Sequence, residues 1–230
     1  MAPPAACLFD LDGLLLDTEP LHGQAWREAA ARFGLLLADE QLLMLRGRRR
    51  QDCARDVRAW ILAAGGHCQD IESLLAVRQP IAEALMPRAH AMPGAENLVR
   101  RCHQRGVPMA LATSSSGRSL AIKAAPHPWL ELIPTRVHGD DPELTAGKPA
   151  PDGFLLAARR LGVDPRHCWA FEDSAAGAEA AAAAGCRVFV LAGVQAPTAR
   201  FPEGCHRLER LDQVPLLGEP LASPAVNRGG

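Results

Sequence analysis

No tyrosine occurs anywhere in the chain, and aromatic residues of all kinds make up only 4% of its 230 positions. Packing must therefore rest mainly on Leu, Ala and Val, within a sequence whose 48% hydrophobic content marks it as globular. Lysine is nearly missing too: Lys123 and Lys148 are the only two, and arginine supplies the rest of the positive side-chain charge. Neither sign is in excess, the formal net charge being −1, so no overall field gathers nucleic acid or an anionic membrane surface. C-x-x-C pairs are absent. The seven cysteines (Cys7, Cys53, Cys68, Cys102, Cys168, Cys186, Cys205) stand singly and fit neither a zinc site nor a disulfide framework, which makes reduced thiols the expectation. No apolar run approaches the roughly 20 residues that span a bilayer, and the N-terminal MAPPAACLFDLDG meets acids before a signal-length segment can form. A soluble, cytoplasmic chain without nucleic acid or membrane partners is expected; oligomeric state is not written in the sequence.

What is present is an alternation. Short apolar runs at Ala5–Phe9, Val107–Ala112, Cys168–Phe171 and Arg187–Leu191 read as buried parallel strands. Helical segments alternate with them: Arg118–Ala125, Asp152–Leu161 and Ala175–Ala184, with Gly162 and Gly185 placed as C-terminal caps. This predicts an α/β fold, a Rossmann-like parallel sheet covered by helices. From about His22 to Arg88 the pattern changes to helical periodicity without strands, carried by Ala25, Trp26, Ala29 and Phe33, then Leu42, Leu43 and Leu45 after Asp39, then Val57, Trp60, Ile61 and Ala64. A further helix starts near Asp70, where Pro80 is expected to kink or break it. The predicted organisation is a core of residues 1–18 and 91–217, an all-helical cap inserted at 19–90 with a return hinge near Pro87 and Pro93-Gly94, and a flexible tail at 218–230.

In a sheet of this kind ligands sit beyond the carboxyl ends of the strands, and those ends are polar here. Asp10 and Asp12 follow the first run, Thr113-Ser114-Ser115-Ser116 the second, and Glu172-Asp173 the Cys168 run, with Lys148 in GKPAPD just upstream. Extended geometry puts Asp10 and Asp12 on one side, where two carboxylates repel. Glu172-Asp173 at the same rim makes four acids with Lys148 as the obvious counter-charge. A hard divalent cation fits that deficit, and Mg²⁺ suits carboxylates together with a phosphate oxygen. Lys148 offers a compact point charge for a phosphate, and the Thr113–Ser116 hydroxyls either cap the following helix or form an anion site at its N-terminus.

These residues, in this order, resemble the haloacid dehalogenase superfamily of phosphotransferases, in the branch with a helical cap after the first strand. The match consists of FDLDGLLLDT, LATSS, GKPAPD and FEDSAAG and covers Ala5 to Leu191. The resemblance implies Asp10 as nucleophile and metal ligand, and Asp12 as general acid/base with its backbone carbonyl on the metal. It further implies Thr113, Ser114 and Lys148 as phosphate-holding residues and Glu172 and Asp173 as metal-side acids. Asp12 argues against true dehalogenase chemistry, which lacks a second aspartate in the first motif. HAMPGAENL and HGDDPELTAGKPAPDGF are similar to the subgroup with pseudouridine-5′-phosphatases and glycerol-phosphate phosphatases. The implied activity is Mg²⁺-dependent hydrolysis of a small sugar, polyol or nucleoside monophosphate through an aspartyl phosphate.

In the cap, LRGRRR gathers Arg46, Arg48, Arg49 and Arg50, either a solvated loop or a hold for a second anionic group. Arg50 and His22 stand where beta-phosphoglucomutases of the same branch carry substrate-side residues, which keeps a phosphomutase as the alternative; a non-catalytic phosphometabolite-binding protein is a third reading. Asp17 is expected to stabilise the turn toward the cap, and Leu14-Leu15-Leu16 to line the passage by which substrate enters.

Overall fold

A computed structural model describes residues 3–45, 50–191 and 200–215. Arg46, Arg48 and Arg49, and the tail expected from 218 onward, lie outside the described residues. Strand β1 (Ala6–Phe9) leads through a turn into β2 (Leu16–Asp17), and four helices follow: α1 (Glu19–Ala31), α2 (Asp39–Leu45), α3 (Arg50–Ala63) and α4 (Ile71–Leu85). The chain returns along β3 (His90–Ala91) and continues as α5 (Ala95–Gln104), β4 (Met109–Ala112), α6 (Gly117–Ala124), β5 (Thr135–Val137), α7 (Asp152–Leu161), β6 (Cys168–Glu172), α8 (Ala175–Ala183), β7 (Arg187–Leu191) and β8 (His206–Leu208). Six strands form one parallel sheet in the order β5-β4-β1-β6-β7-β8, while β2 and β3 make a separate antiparallel pair. The molecule is thus a Rossmann-like core with an inserted helical cap.

The alternation of side chains explains why both sheet faces are dry. Cys7 and Phe9 of β1 point into one apolar cluster with α5, and Ala6 and Leu8 into another with α7 and α8. Three of the ten Phe and Trp residues stack on one sheet face. Parallel register aligns Phe9, Phe171, Phe189 and His206 across four strands, with successive ring centroids 5.0, 5.2 and 5.0 Å apart. Those stacked rings close one side of the sheet directly beneath the acids that follow Phe9 and Phe171.

The four inserted helices build an apolar cluster of their own around Trp26, Leu45, Val57, Ile61 and Leu74. Asp70 caps α4, its carboxylate accepting from the Ser73 N–H at 2.8 Å. Pro80 does not break that helix, contrary to expectation: α4 runs through it from Ile71 to Leu85. The carbonyl deprived of its partner belongs to Ala76, and both residues are exposed, so water can take its place. Two further expectations shift. Strands β5 and β8 were not read from the sequence, because the short edges TRV and HRL carry little apolar signal. Leu14, Leu15 and Leu16 line no passage; all three are fully buried in the core cluster, and the Leu11–Leu16 turn is closed by hydrogen bonds from the Leu15 and Leu16 N–H groups to the Leu11 carbonyl. Asp17 pairs with His90 in the antiparallel register of β2 and β3.

Candidate active site

Three strand ends converge at the carboxyl rim of the sheet. Asp10 leaves β1 with its N–H bonded to the Phe171 carbonyl of β6 at 3.0 Å, and Thr113 leaves β4 with its N–H on the Val137 carbonyl of β5. Residue Glu172 closes β6, and Asp173 follows it. Single ligand oxygens of Asp10, Glu172 and Asp173 all lie within 4.8 Å of one another, and all three residues are buried. Lys148 reaches in from the loop before α7, its Nζ donating to Asp10 Oδ1 and, at 2.5 Å, to Glu172 Oε1. The remaining oxygen of Glu172 accepts from the Asp173 and Ser174 N–H groups and the Ser174 hydroxyl at the start of α8.

Two glycines make this crowding possible. A Cβ on Gly177 of α8 would fall 2.0 Å from the Glu172 carboxyl, and one on Gly13, at φ +80°, would fall 2.1 Å from Asp173 Oδ2. Only glycine leaves room for the acids there.

Electrostatically, the cluster sets three carboxyls against the one ammonium of Lys148. Burial pushes Asp10 up to about 7; Glu172 and Asp12 add to the rise, while Lys148 pulls against it. Asp173 is raised well above the usual carboxylate range by burial and by its neighbours Glu172 and Asp10. Three acids with one ammonium, an all-oxygen donor set and a net negative deficit are what a hard divalent ion requires. Asp10 and Asp173 fit as side-chain ligands, with Glu172 beside them.

Asp12 has a separate environment. Its Oδ1 accepts from Thr18 Oγ1 at 2.8 Å and Lys123 Nζ at 2.6 Å, and its Oδ2 from Ser115 Oγ at 2.7 Å. Burial alone would raise it, but Lys123 and these hydrogen bonds outweigh burial and hold Asp12 far below the ordinary carboxylate range. Sequence reasoning missed Lys123 and Ser115. It selected Ser114, whose side chain is exposed on the cavity wall; of the Thr113–Ser116 hydroxyls, expected either to cap the helix or to form an anion site, Ser116 is the cap, its Oγ accepting from the Ser119 N–H.

A cavity of about 1060 Å³ extends from these residues to the cap. Thr113, Ser114, Lys148, Asp10, Asp12 and Asp173 form its floor, and His22, Arg50 and Arg78 line the opposite side. Arg50 is exposed and donates to Gln79 Oε1 at 2.9 Å. Residue Arg78, on the buried face of α4, was not singled out from the sequence. It is 5% exposed, stacks its guanidinium 4.2 Å from the Trp26 ring centroid, and meets His22 Nδ1 at 3.0 Å. Its Nε has no partner, and no carboxylate among the described residues lies within ion-pair distance. Burial lowers Arg78 to about 10, still charged at neutral pH, and lowers His22 to about 3, so the imidazole is neutral and its Nδ1 accepts from the guanidinium.

A sheet rim of carboxylates and a lysine, under a helical cap, defines a class of hydrolase, and residues 4–185 match the haloacid dehalogenase-like hydrolase family model. The chain belongs to that family. It is 36% identical over 189 residues to (DL)-glycerol-3-phosphatase 1, mitochondrial, of Arabidopsis thaliana, a match covering 80% of this chain and 62% of that relative, so it spans less than two thirds of that relative's length. It is 38% identical over 189 residues to the probable pseudouridine-5′-phosphatase of Drosophila melanogaster, covering 80% of each. Among solved structures, CbbY from Rhodobacter sphaeroides in complex with phosphate superposes with a TM-score of 0.74 at 28% identity, covering 91% of this chain and 96% of that one. Family and relatives together make the chain an enzyme of the phosphatase type.

Proposed function

We propose that the protein hydrolyses small phosphomonoesters in two displacements, with Asp10 as nucleophile. One Asp10 carboxylate oxygen attacks phosphorus in line, the bond from phosphorus to the alcohol oxygen breaks, and Asp12 gives that oxygen its proton. An alcohol leaves, and the phosphoryl group stays on Asp10. Asp12, now a carboxylate, takes a proton from a water whose oxygen attacks phosphorus, releasing phosphate and restoring Asp10. Lys148 and the Thr113 and Ser114 wall hold the non-bridging phosphoryl oxygens. Asp10, Asp173 and the Asp12 backbone carbonyl, with Glu172 beside them, would hold a Mg²⁺, whose charge would offset that of the transferring group.

One observation carries this reading: Asp10 sits buried against Lys148 and two further acids at the floor of a cavity large enough for a small metabolite. The substrate class follows the relatives' activities and the cap, whose buried Arg78 and neighbouring Arg50 favour a body rich in hydroxyls or bearing a second anion. Phosphate release measured over sugar, polyol and nucleoside monophosphates tests it. Release should require Mg²⁺, stop with EDTA, and fall at least about a thousandfold in Asp10→Asn. Turnover by that variant at the parental rate would remove Asp10 as nucleophile.

Arg78 and Arg50 at the far end of the cavity also favour a second reading, a phosphomutase that holds one phosphate there while the other reacts. Phosphorus NMR of a glucose 1-phosphate reaction separates the two, since a mutase yields glucose 6-phosphate with little free phosphate.

A further inference from the structure

Both lysines of the chain end at this site, and only Lys148 has a place in the reaction above. Lys123 lies on α6, is 1% exposed, and its Nζ meets two groups: Asp12 Oδ1 at 2.6 Å and Ser115 Oγ at 2.7 Å. An ammonium has three donors and no acceptor. Facing Lys123, the Ser115 hydroxyl must therefore accept, which turns its own hydrogen toward Asp12 Oδ2, 2.7 Å away. Thr18, fully buried, adds its hydroxyl to Oδ1. Every contact around the Asp12 carboxylate is thus a donor, and the Lys123–Ser115–Asp12 circuit is closed. A chain of this kind strengthens itself by mutual polarisation and fixes the rotamer of the group at its centre.

We infer that Lys123 is a positioning residue for the second displacement: through Ser115 and by direct contact it holds Asp12 as an oriented proton acceptor, ready for the water that attacks the phosphoenzyme. This rests on the two-step reading above and extends it to the choice between acceptors. The same phosphoryl group on Asp10 can pass to water or to another hydroxyl, and an acceptor already aligned for water favours hydrolysis over transfer to a sugar. In the first displacement Asp12 must instead carry a proton, which these donors oppose; a leaving group such as acetate departs without one, so with acetyl phosphate the circuit around Lys123 has no part in forming the phosphoenzyme. The device separates the halves of the cycle.

Rapid-quench measurement on the full chain, with ³²P-labelled acetyl phosphate and Mg²⁺, follows formation and decay of the labelled phosphoenzyme. In Lys123→Met, which keeps an unbranched stem of similar length, decay should slow about tenfold or more while formation stays within about threefold, the scale expected when a general base loses its alignment. Ser115→Ala, a smaller deletion, should slow decay several-fold in the same direction, which keeps the test open if Lys123→Met folds poorly. Added glycerol should capture a larger share of the label in both variants than in the parent. Decay at the parental rate in both variants overturns the inference, and so does an equal loss in formation and decay, which marks a merely structural lysine. A parent that forms no label on Asp10 overturns the two-step reading itself, a distinct result.

Discussion

At the floor of the cavity each lysine faces a carboxylate; on the cap side the buried arginine has none within ion-pair distance among the described residues. Lys148 bridges Asp10 and Glu172, and Lys123 joins Asp12, so the reacting end is held in one arrangement before any substrate arrives. Arg78 spends the same burial on a ring face, a neutral imidazole and an unmatched Nε. Unpaired buried charge destabilises a fold, whereas a preorganised charge pair at a reacting centre costs nothing at the moment of reaction. Under the proposed function the contrast divides the two sides: chemistry falls to the core, and fit to the cap. Each prediction below attacks one side of that contrast.

The largest effect is expected at the floor. Gly177→Ala would place a methyl 2.0 Å from the Glu172 carboxyl, which is fully buried and has no open space to move into. Glu172 must shift, and Lys148 with it. A misplacement of this kind should lower kcat roughly a hundredfold. Overpacking should cost about 1–3 kcal/mol in urea unfolding. Parental kcat in a folded Gly177→Ala variant would show that the Lys148–Glu172 contact does not set the geometry of Asp10.

On the cap side the signs are expected to differ between the two measurements. Arg78→Met keeps the stem against Trp26 and removes the charge, so stability should hold or rise slightly, because a cation without a carboxylate leaves the interior. KM for the preferred phosphomonoester should rise about tenfold, near the 1.5 kcal/mol of a hydrogen bond to a charged group, with kcat little changed. Equal KM with a clear loss of stability would instead make Arg78 a structural residue of the cap.

The floor was legible in the sequence and the cap side largely was not, for a physical reason. Catalytic groups at strand ends are announced locally, because an apolar run that stops at Asp10-Leu-Asp12 or Glu172-Asp173 shows both the strand and its polar rim within a few residues. Lys123 and Arg78 are announced only by helical phase. On α6 the buried positions are Leu120, Lys123 and Ala124, and on α4 they are Leu74, Arg78, Ala82 and Leu85. A long cation on an apolar stripe was the available signal, and in a chain with two lysines Lys123 carried it plainly. Which partner it meets depends on how α6 packs against the β1 turn, and no local pattern encodes that. The same limit explains Leu14–Leu16, whose position between two motifs suggested a passage while their turn folds them into the core.

The two aspartates of the floor are separated by the sign of their pH dependence. Asp12, held low, contributes stability that is fully present above its ordinary value of 3.8 and is lost only as pH falls through its folded value. Asp10 runs the other way: raised from 3.8 to about 7, it keeps its proton in the folded chain where the unfolded chain has lost it. In metal-free protein its contribution to stability therefore decreases as pH rises from about 4 to 7, on the order of 1.4 kcal/mol per unit of pKa difference. For a chain this long each kcal/mol moves Tm by roughly 2–4 °C. Scanning calorimetry with EDTA should thus show a downward trend over that window, shallower in Asp10→Asn, whose amide has no proton to lose, the remainder coming from Asp173, which burial also raises. Added Mg²⁺ should raise Tm little near pH 4 and more toward pH 7, as the cation replaces the proton that Asp10 gives up. A Mg²⁺ shift of equal size at both ends of the window, or a slope undiminished in Asp10→Asn, would place the excess charge of the floor on a group other than Asp10.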